Sequence, residues 1–194
     1  MMKVRGVVCL VMGMLAVGAG AQVGAKNDVN PEYKAPAPAE KDYEKRVVMI
    51  PMRDGVKLYT VIVIPKEAIA HKGVAPMVLT RTCYNAAGRA ERSTSPKMSE
   101  ALPLSDEDFV KNGYIRVYQD VRGKYGSEGV YLMTTPPVGS GFNNSGADDT
   151  TDAYDTIDWL VKNVPETNGR VGMIGSSYEG YTVVMALLHP HPAL

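Results

Sequence analysis

Ser177 is the residue of this 194-residue chain that its neighbours best equip for covalent chemistry. It lies in Gly175-Ser176-Ser177-Tyr178-Glu179-Gly180, after the apolar run Arg170-Val171-Gly172-Met173-Ile174 and before the helix-like run Tyr181 to Leu188. A serine at the tip of a strand-to-helix turn sits in a strained backbone conformation, so its neighbours must be small. The helix start behind it presents free N–H groups that favour a developing negative charge. The same residues also suit a plain turn in which Gly and Ser serve geometry alone. A serine hydroxyl is a weak nucleophile near neutral pH and needs a base. The chain has three histidines, His71, His189 and His191. Across a helix rising 1.5 Å per residue, His189 and His191 fall roughly 15–20 Å from the hydroxyl, well beyond a hydrogen-bond reach of about 3 Å. They read as helix-end residues beside Pro190 and Pro192. His71 precedes Ser177 in a polar turn, and a His71–Asp120–Ser177 order belongs to a double β-barrel, which the helical pattern of 148–164 contradicts. Glu179 is the single carboxylic side chain after Ser177. No complete triad can be drawn from these residues.

The surrounding pattern supplies elements to carry the turn. Arg46 to Pro51 and Lys57 to Ile64 read as strands joined at Arg53-Asp54-Gly55, where Asp-Gly suits a hairpin with positive φ. Pro76 to Thr80 is a third strand, apolar throughout and so buried. A long polar loop, Arg81 to Ala101, starts at its carboxyl end, where functional residues gather in open α/β sheets. Ser105 caps a short acidic helix that stops at Asn112-Gly113. Tyr114 to Tyr118 is a fourth strand delivering Asp120-Val121-Arg122-Gly123, in which Asp120 and Arg122 are candidates for catalysis but fit a turn-bracing ion pair better. The glycine-rich loop 139–146 lacks a following Gly-Lys-Ser/Thr and is no phosphate cradle. Asp148 to Val164 is helical, with Tyr154, Ile157, Val161 and Val164 on one face and Trp159 in the core. Asp148 and Asp149 fit a solvated, dipole-favoured first turn better than a metal site. Strand, helix, strand, turn, helix is the alternation of a parallel sheet covered by helices, an α/β fold.

The Ser177 turn departs from the common G-x-S-x-G elbow, because Glu179 stands where the second glycine is usual and the glycine follows at Gly180. G-x-S-Y-x-G resembles the peptidase S15-like family of α/β-hydrolases, which holds α-amino-acid ester hydrolases, glutaryl-cephalosporin acylases, cocaine esterase and X-Pro dipeptidyl peptidases. Arg81-Thr82-Cys83-Tyr84-Asn85-Ala86 and Gly175 to Thr182 are most similar to the α-amino-acid ester hydrolases. The Arg53-Asp54-Gly55 hairpin, Asp120-Val121-Arg122-Gly123 with Ser127-Glu128-Gly129, and His191-Pro192-Ala193-Leu194 extend the likeness from about Arg46 to the last residue.

That resemblance implies an α/β-hydrolase fold, represented here by the amino-terminal part of its sheet up to the nucleophile elbow and its helix. It implies a serine hydrolase acting on a small ester or amide through an acyl-enzyme, on α-amino acid esters and α-amino β-lactam antibiotics above all. X-Pro dipeptidyl peptidase and glutaryl acylase are the alternatives within the family, and a truncated, non-catalytic secreted protein the alternative outside it. Ser177 would be the nucleophile and the Tyr178 backbone N–H one oxyanion donor. The family draws the second donor from a tyrosine hydroxyl in the loop after the third strand, the place of Tyr84. Against that role stands a loop tyrosine packed on the sheet edge. Cys83 takes the place of a common proline, and no flanking His or second cysteine would activate it. The aspartate and histidine of the triad are expected beyond Leu194, so the chain reads as an amino-terminal fragment, inactive alone. No cofactor and no metal are implied.

The remaining residues bound the setting. Basic and acidic residues balance at 21 each, which implies no nucleic acid or anionic membrane as partner. Lys3 and Arg5, the apolar Val7 to Val17 and Ala19-Gly20-Ala21 read as a signal peptide over 1–21, too short to span a membrane, and place the protein in the periplasm or outside the cell. Residues 22–45, with Pro31, Pro36 and Pro38, read as a flexible arm. In the resembling hydrolases such an arm embraces a neighbouring subunit, so a homo-oligomer is expected. The α/β-hydrolase part follows over 46–194.

Overall fold

A computed structural model describes residues 39–194. The expected signal peptide and most of the arm lie outside the described residues. β1 (Tyr43–Pro51) begins three residues before the expected boundary and pairs antiparallel with β2 (Lys57–Pro65) through the Asp54-Gly55 turn, where Gly55 has φ 88°. α1 (Lys66–Ala70) and β3 (Ala75–Thr82) follow. The expected 81–101 loop is shorter than its composition suggests, since Arg81 and Thr82 continue β3 and two short helices, α2 (Ala86–Arg89) and α3 (Met98–Ala101), interrupt the rest. A 3-10 turn, Leu104–Asp106, leads into α4 (Glu107–Lys111), then β4 (Ile115–Asp120). α5 (Asp149–Asn163), β5 (Thr167–Met173) and α6 (Tyr178–Leu188) complete the order.

The strands form one sheet in the order β1-β2-β4-β3-β5. β2 pairs antiparallel with both β1 and β4, while β3 pairs parallel with both β4 and β5. Every residue of β4 is buried, as a central strand covered on both faces requires. The alternation of β2 separates two cores. Ile62 and Ile64, with Leu79 and Val117, pack against Ile157 and Leu160 of α5 and the Val164 that follows it. Val61, Val63 and Tyr118 pack against Ala86, Met98 and Ala101 on the opposite side. Helices thus cover both sheet faces, and α6 lies beside α5 against β3.

Two expectations about caps are corrected. Ser105 caps no helix, because its hydroxyl donates to the Asp106 carboxylate, which also binds Arg116 and Tyr118 in the buried space under α4. Asp148 and Asp149 are not solvated: both are buried. Asp148 caps α5, accepting from the amides of Thr150 and Thr151, while the Thr151 hydroxyl accepts from the Asp148 amide. Burial raises the Asp148 pKa, but the Thr150 hydroxyl, which donates to Oδ1 at 2.6 Å, and the backbone amides outweigh it and hold the carboxyl below its ordinary range.

Candidate active site

The parallel strands β3 and β5 end side by side, so the turns leaving them are neighbours. At the end of β5 the chain reverses through Ser176-Ser177-Tyr178-Glu179, closed by the Glu179 amide donating to the Ser176 carbonyl at 3.0 Å. Ser177 occupies the first corner with φ 53° and ψ −126°. Those are the angles of a type II′ corner, which glycine normally takes. α6 starts at the next residue, and its N-cap, Ser177, makes no side-chain capping bond, so the hydroxyl is left free. The small residues have a steric reason. A Cβ on Gly175 would lie 2.3 Å from the Glu179 Cβ and 2.5 Å from its carbonyl carbon, and one on Gly180 would lie 3.2 Å from the Gly175 oxygen.

The turn after β3 brings the partner hydroxyl. Tyr84 does not pack on the sheet edge: it is 49% exposed, and its hydroxyl lies 3.4 Å from Ser177 Oγ. Asn85 follows with φ 76° and caps α2 by accepting from the Gly88 amide at 3.1 Å. The Tyr84 amide donates to Thr82 Oγ1 at 3.0 Å, and the Ala86 amide donates to Asp120 Oδ1 at 2.7 Å.

Asp120 corrects an expectation. It makes no pair with Arg122 but accepts from two backbone amides, Ala86 and, at 3.2 Å, Gly126. Burial raises its pKa, and those two N–H bonds oppose the rise. Arg122 instead bridges Asp54 of the hairpin and Asp152 of α5. Strand adjacency decides this, since the end of β4 lies beside the Tyr84 turn while the Arg122 side chain reaches past it to α5.

A cavity of about 400 Å³ opens beside Ser177, lined by Cys83, Tyr84, Tyr131, Met133, Tyr178 and Tyr181. The rings of Tyr131 and Tyr181 lie 6.2 and 5.4 Å from that of Tyr178. Beneath them the buried Asp149 accepts from the Tyr181 hydroxyl at 3.2 Å. Burial, then the Asp149 charge, pushes Tyr181 up to about 12 and holds Tyr178 still higher, while burial also raises Tyr131. These phenols therefore stay protonated donors at neutral pH. Tyr131 carries no signal in sequence as a site residue, because its contact depends on the fold of the 124–147 loop, and Tyr181 and Asp149 meet only because α6 lies beside α5.

None of the three histidines lines this cavity. His71 caps α1, His189 ends α6, and His191 stacks on Tyr154 at 4.7 Å with Nε2 3.5 Å from Asp158. Trp159 packs partly buried against the core, and Tyr154 and Val161 are half-buried.

The family model described as X-Pro dipeptidyl-peptidase (S15 family) matches residues 54–194. Cocaine esterase of Rhodococcus sp. (strain MB1 Bresler) is 35% identical over 135 residues, 70% of this chain and 19% of that protein. A solved structure of an α-amino acid ester hydrolase is 62% identical over 88% of this chain and 27% of its own, with a TM-score of 0.76. A solved aminopeptidase from a marine sediment Thaumarchaeota archaeon is 51% identical over the same shares, with a TM-score of 0.75. The chain thus spans about a fifth to a quarter of the length of these relatives.

Proposed function

The chain belongs to the X-Pro dipeptidyl-peptidase (S15) family and has the α/β-hydrolase fold as far as the nucleophile elbow and its helix, and on that premise we propose that it carries the nucleophile and oxyanion donors of a serine hydrolase. The observation that supports this most directly is the Tyr84 hydroxyl 3.4 Å from the Oγ of a serine held at φ 53°. Ser177 Oγ attacks the carbonyl carbon of an ester or amide, forming a tetrahedral intermediate. The Tyr84 hydroxyl and the Tyr178 N–H hold its oxyanion, the leaving group departs with a proton, and water then releases the acid from the acyl-enzyme. The base and its orienting acid are contributed by residues outside this chain, a reading supported by the distant engagements of its histidines and by the small share of each relative that it covers.

The acyl donor we favour is an α-amino acid ester, with α-amino β-lactams as further substrates, on the likeness to the solved α-amino acid ester hydrolase. A second reading, a peptidase removing residues from an amino terminus, draws on the solved aminopeptidase and the family description. Residues 1–21 suit export to the periplasm, and the Pro-rich arm suits contact with a second copy.

Fluorophosphonate labelling of the protein made from its whole gene, with mapping of the modified residue, tests the reading. Label on Ser177 is expected, with turnover abolished in Ser177→Ala and about 10²–10³-fold slower in Tyr84→Phe. Near-normal turnover in Ser177→Ala would sink the mechanism.

A further inference from the structure

Glu179 stands where the common elbow has glycine, and its carboxylate is nearly fully buried. Arg89, the last residue of α2, holds it: Nε donates to Oε1 at 3.1 Å and one terminal nitrogen donates to both carboxylate oxygens. Each partner is tied to one reacting hydroxyl. Glu179 follows Ser177 by two positions, its amide closes the elbow turn, and its Cβ fills the space that Gly175 leaves open. Arg89 is separated from Tyr84 by the single turn of α2, whose four residues are too few to be stable unaided. Behind the elbow, Arg89 and Glu179 both line a cavity of about 280 Å³ together with Gly175, Ser176, Asp106 and Arg116 among others. Among the described residues, no other ion pair crosses from α2 to the elbow.

We propose that Arg89 and Glu179 are positioning residues that set where the Tyr84 hydroxyl stands relative to Ser177. The inference rests on the oxyanion role given to Tyr84 above. A donor contributes fully only within about 2.7–3.1 Å of the developing oxyanion, so the Tyr84 segment must be held to a few tenths of an ångström. A guanidinium fork on a carboxylate fixes angle as well as distance, which a single hydrogen bond does not. The buried carboxylate also lies in the first turn of α6, where the helix dipole favours it, so the anchor on the elbow side is itself firm.

The test is a set of variants in the protein made from its whole gene, read with p-nitrophenyl acetate, an α-amino acid methyl ester and the rate of fluorophosphonate acylation. Arg89→Met should lower kcat and the acylation rate about 10–100-fold with KM changed by less than about threefold. Arg89→Lys, which keeps the charge without the fork, should recover part of the loss. In the Arg89→Met background, Tyr84→Phe should cost far less than in the wild type, because the hydroxyl has already lost its place. If Arg89→Met fails to fold, Arg89→Lys and Glu179→Gln carry the same cycle with Tyr84→Phe. Fully additive losses, or an unchanged kcat in a folded Arg89 or Glu179 variant, would overturn the positioning role. If Ser177→Ala kept turnover, or Tyr84→Phe alone were harmless, the mechanism rather than the pair would have failed.

Discussion

The turn leaving β5 and the turn leaving β3 face the same demand and meet it differently. Each holds a non-glycine residue at positive φ, Ser177 at 53° and Asn85 at 76°, and each delivers one of two hydroxyls that lie 3.4 Å apart. At Asn85 the unusual backbone is held by hydrogen bonds: its own side chain caps α2, and Asp120 and Thr82 take the flanking amides. At Ser177 the side chain braces nothing. Close packing of Gly175 on Glu179 and one backbone bond hold that turn instead. The difference follows from where the reactive group sits. A hydroxyl reserved for attack is unavailable as a cap, so its strain must be borne by neighbours. The Tyr84 hydroxyl is on the residue before the strained one, which leaves the Asn85 side chain free to brace the backbone.

Substitutions in the whole-gene protein separate the two strategies. Gly175→Ala attacks packing directly, since the added methyl meets Cβ and backbone of Glu179, and should destabilise by about 3 kcal/mol or more in chemical denaturation, with fluorophosphonate labelling lost. A stable, fully labelled Gly175→Ala would show that the elbow is not held sterically. Asp120→Ala strips acceptors from the Ala86 and Gly126 amides and should cost about 1–3 kcal/mol. It should also change the pH profile of stability. The folded pKa of Asp120 is raised by burial above its ordinary 3.8, so folding takes up its proton, and its contribution falls as pH rises through the raised value. That fall should be absent in Asp120→Ala. The smallest effect is expected at Asn85: replacement by Ala should cost about 1–2 kcal/mol, combining the lost cap with positive φ, and replacement by Gly only a few tenths. Equal costs for the two would mean that the hydrogen bonds around Asn85, rather than its backbone angle, decide the turn.

The strands and the longer helices of this chain could be read from short windows, while the four- and five-residue helices α1, α2 and α3 could not. The apolar run before Gly175, the small residues around Ser177 and the three- and four-residue spacing of α5 are local patterns. They express strain, propensity and periodicity among adjacent residues, which need no knowledge of the rest of the molecule. The Asp54-Gly55 hairpin is of the same kind. The resemblance in Arg81 to Ala86 marked Tyr84, but residue types alone left it between a site donor and a packed loop residue.

Tertiary structure decided who meets whom. Ser177 and Tyr84 lie 93 positions apart and come together because β5 pairs beside β3. Asp120 turns to the Ala86 amide and leaves Arg122 to Asp54 and Asp152, although Asp120 and Arg122 are near neighbours in sequence. Asp148 and Asp149, which composition alone would expose, are buried because loop amides and Tyr181 fold over the start of α5. A backbone conformation costs or gains free energy within a few residues, whereas the partner of a polar side chain is chosen by whichever strand, turn or helix the sheet order sets beside it.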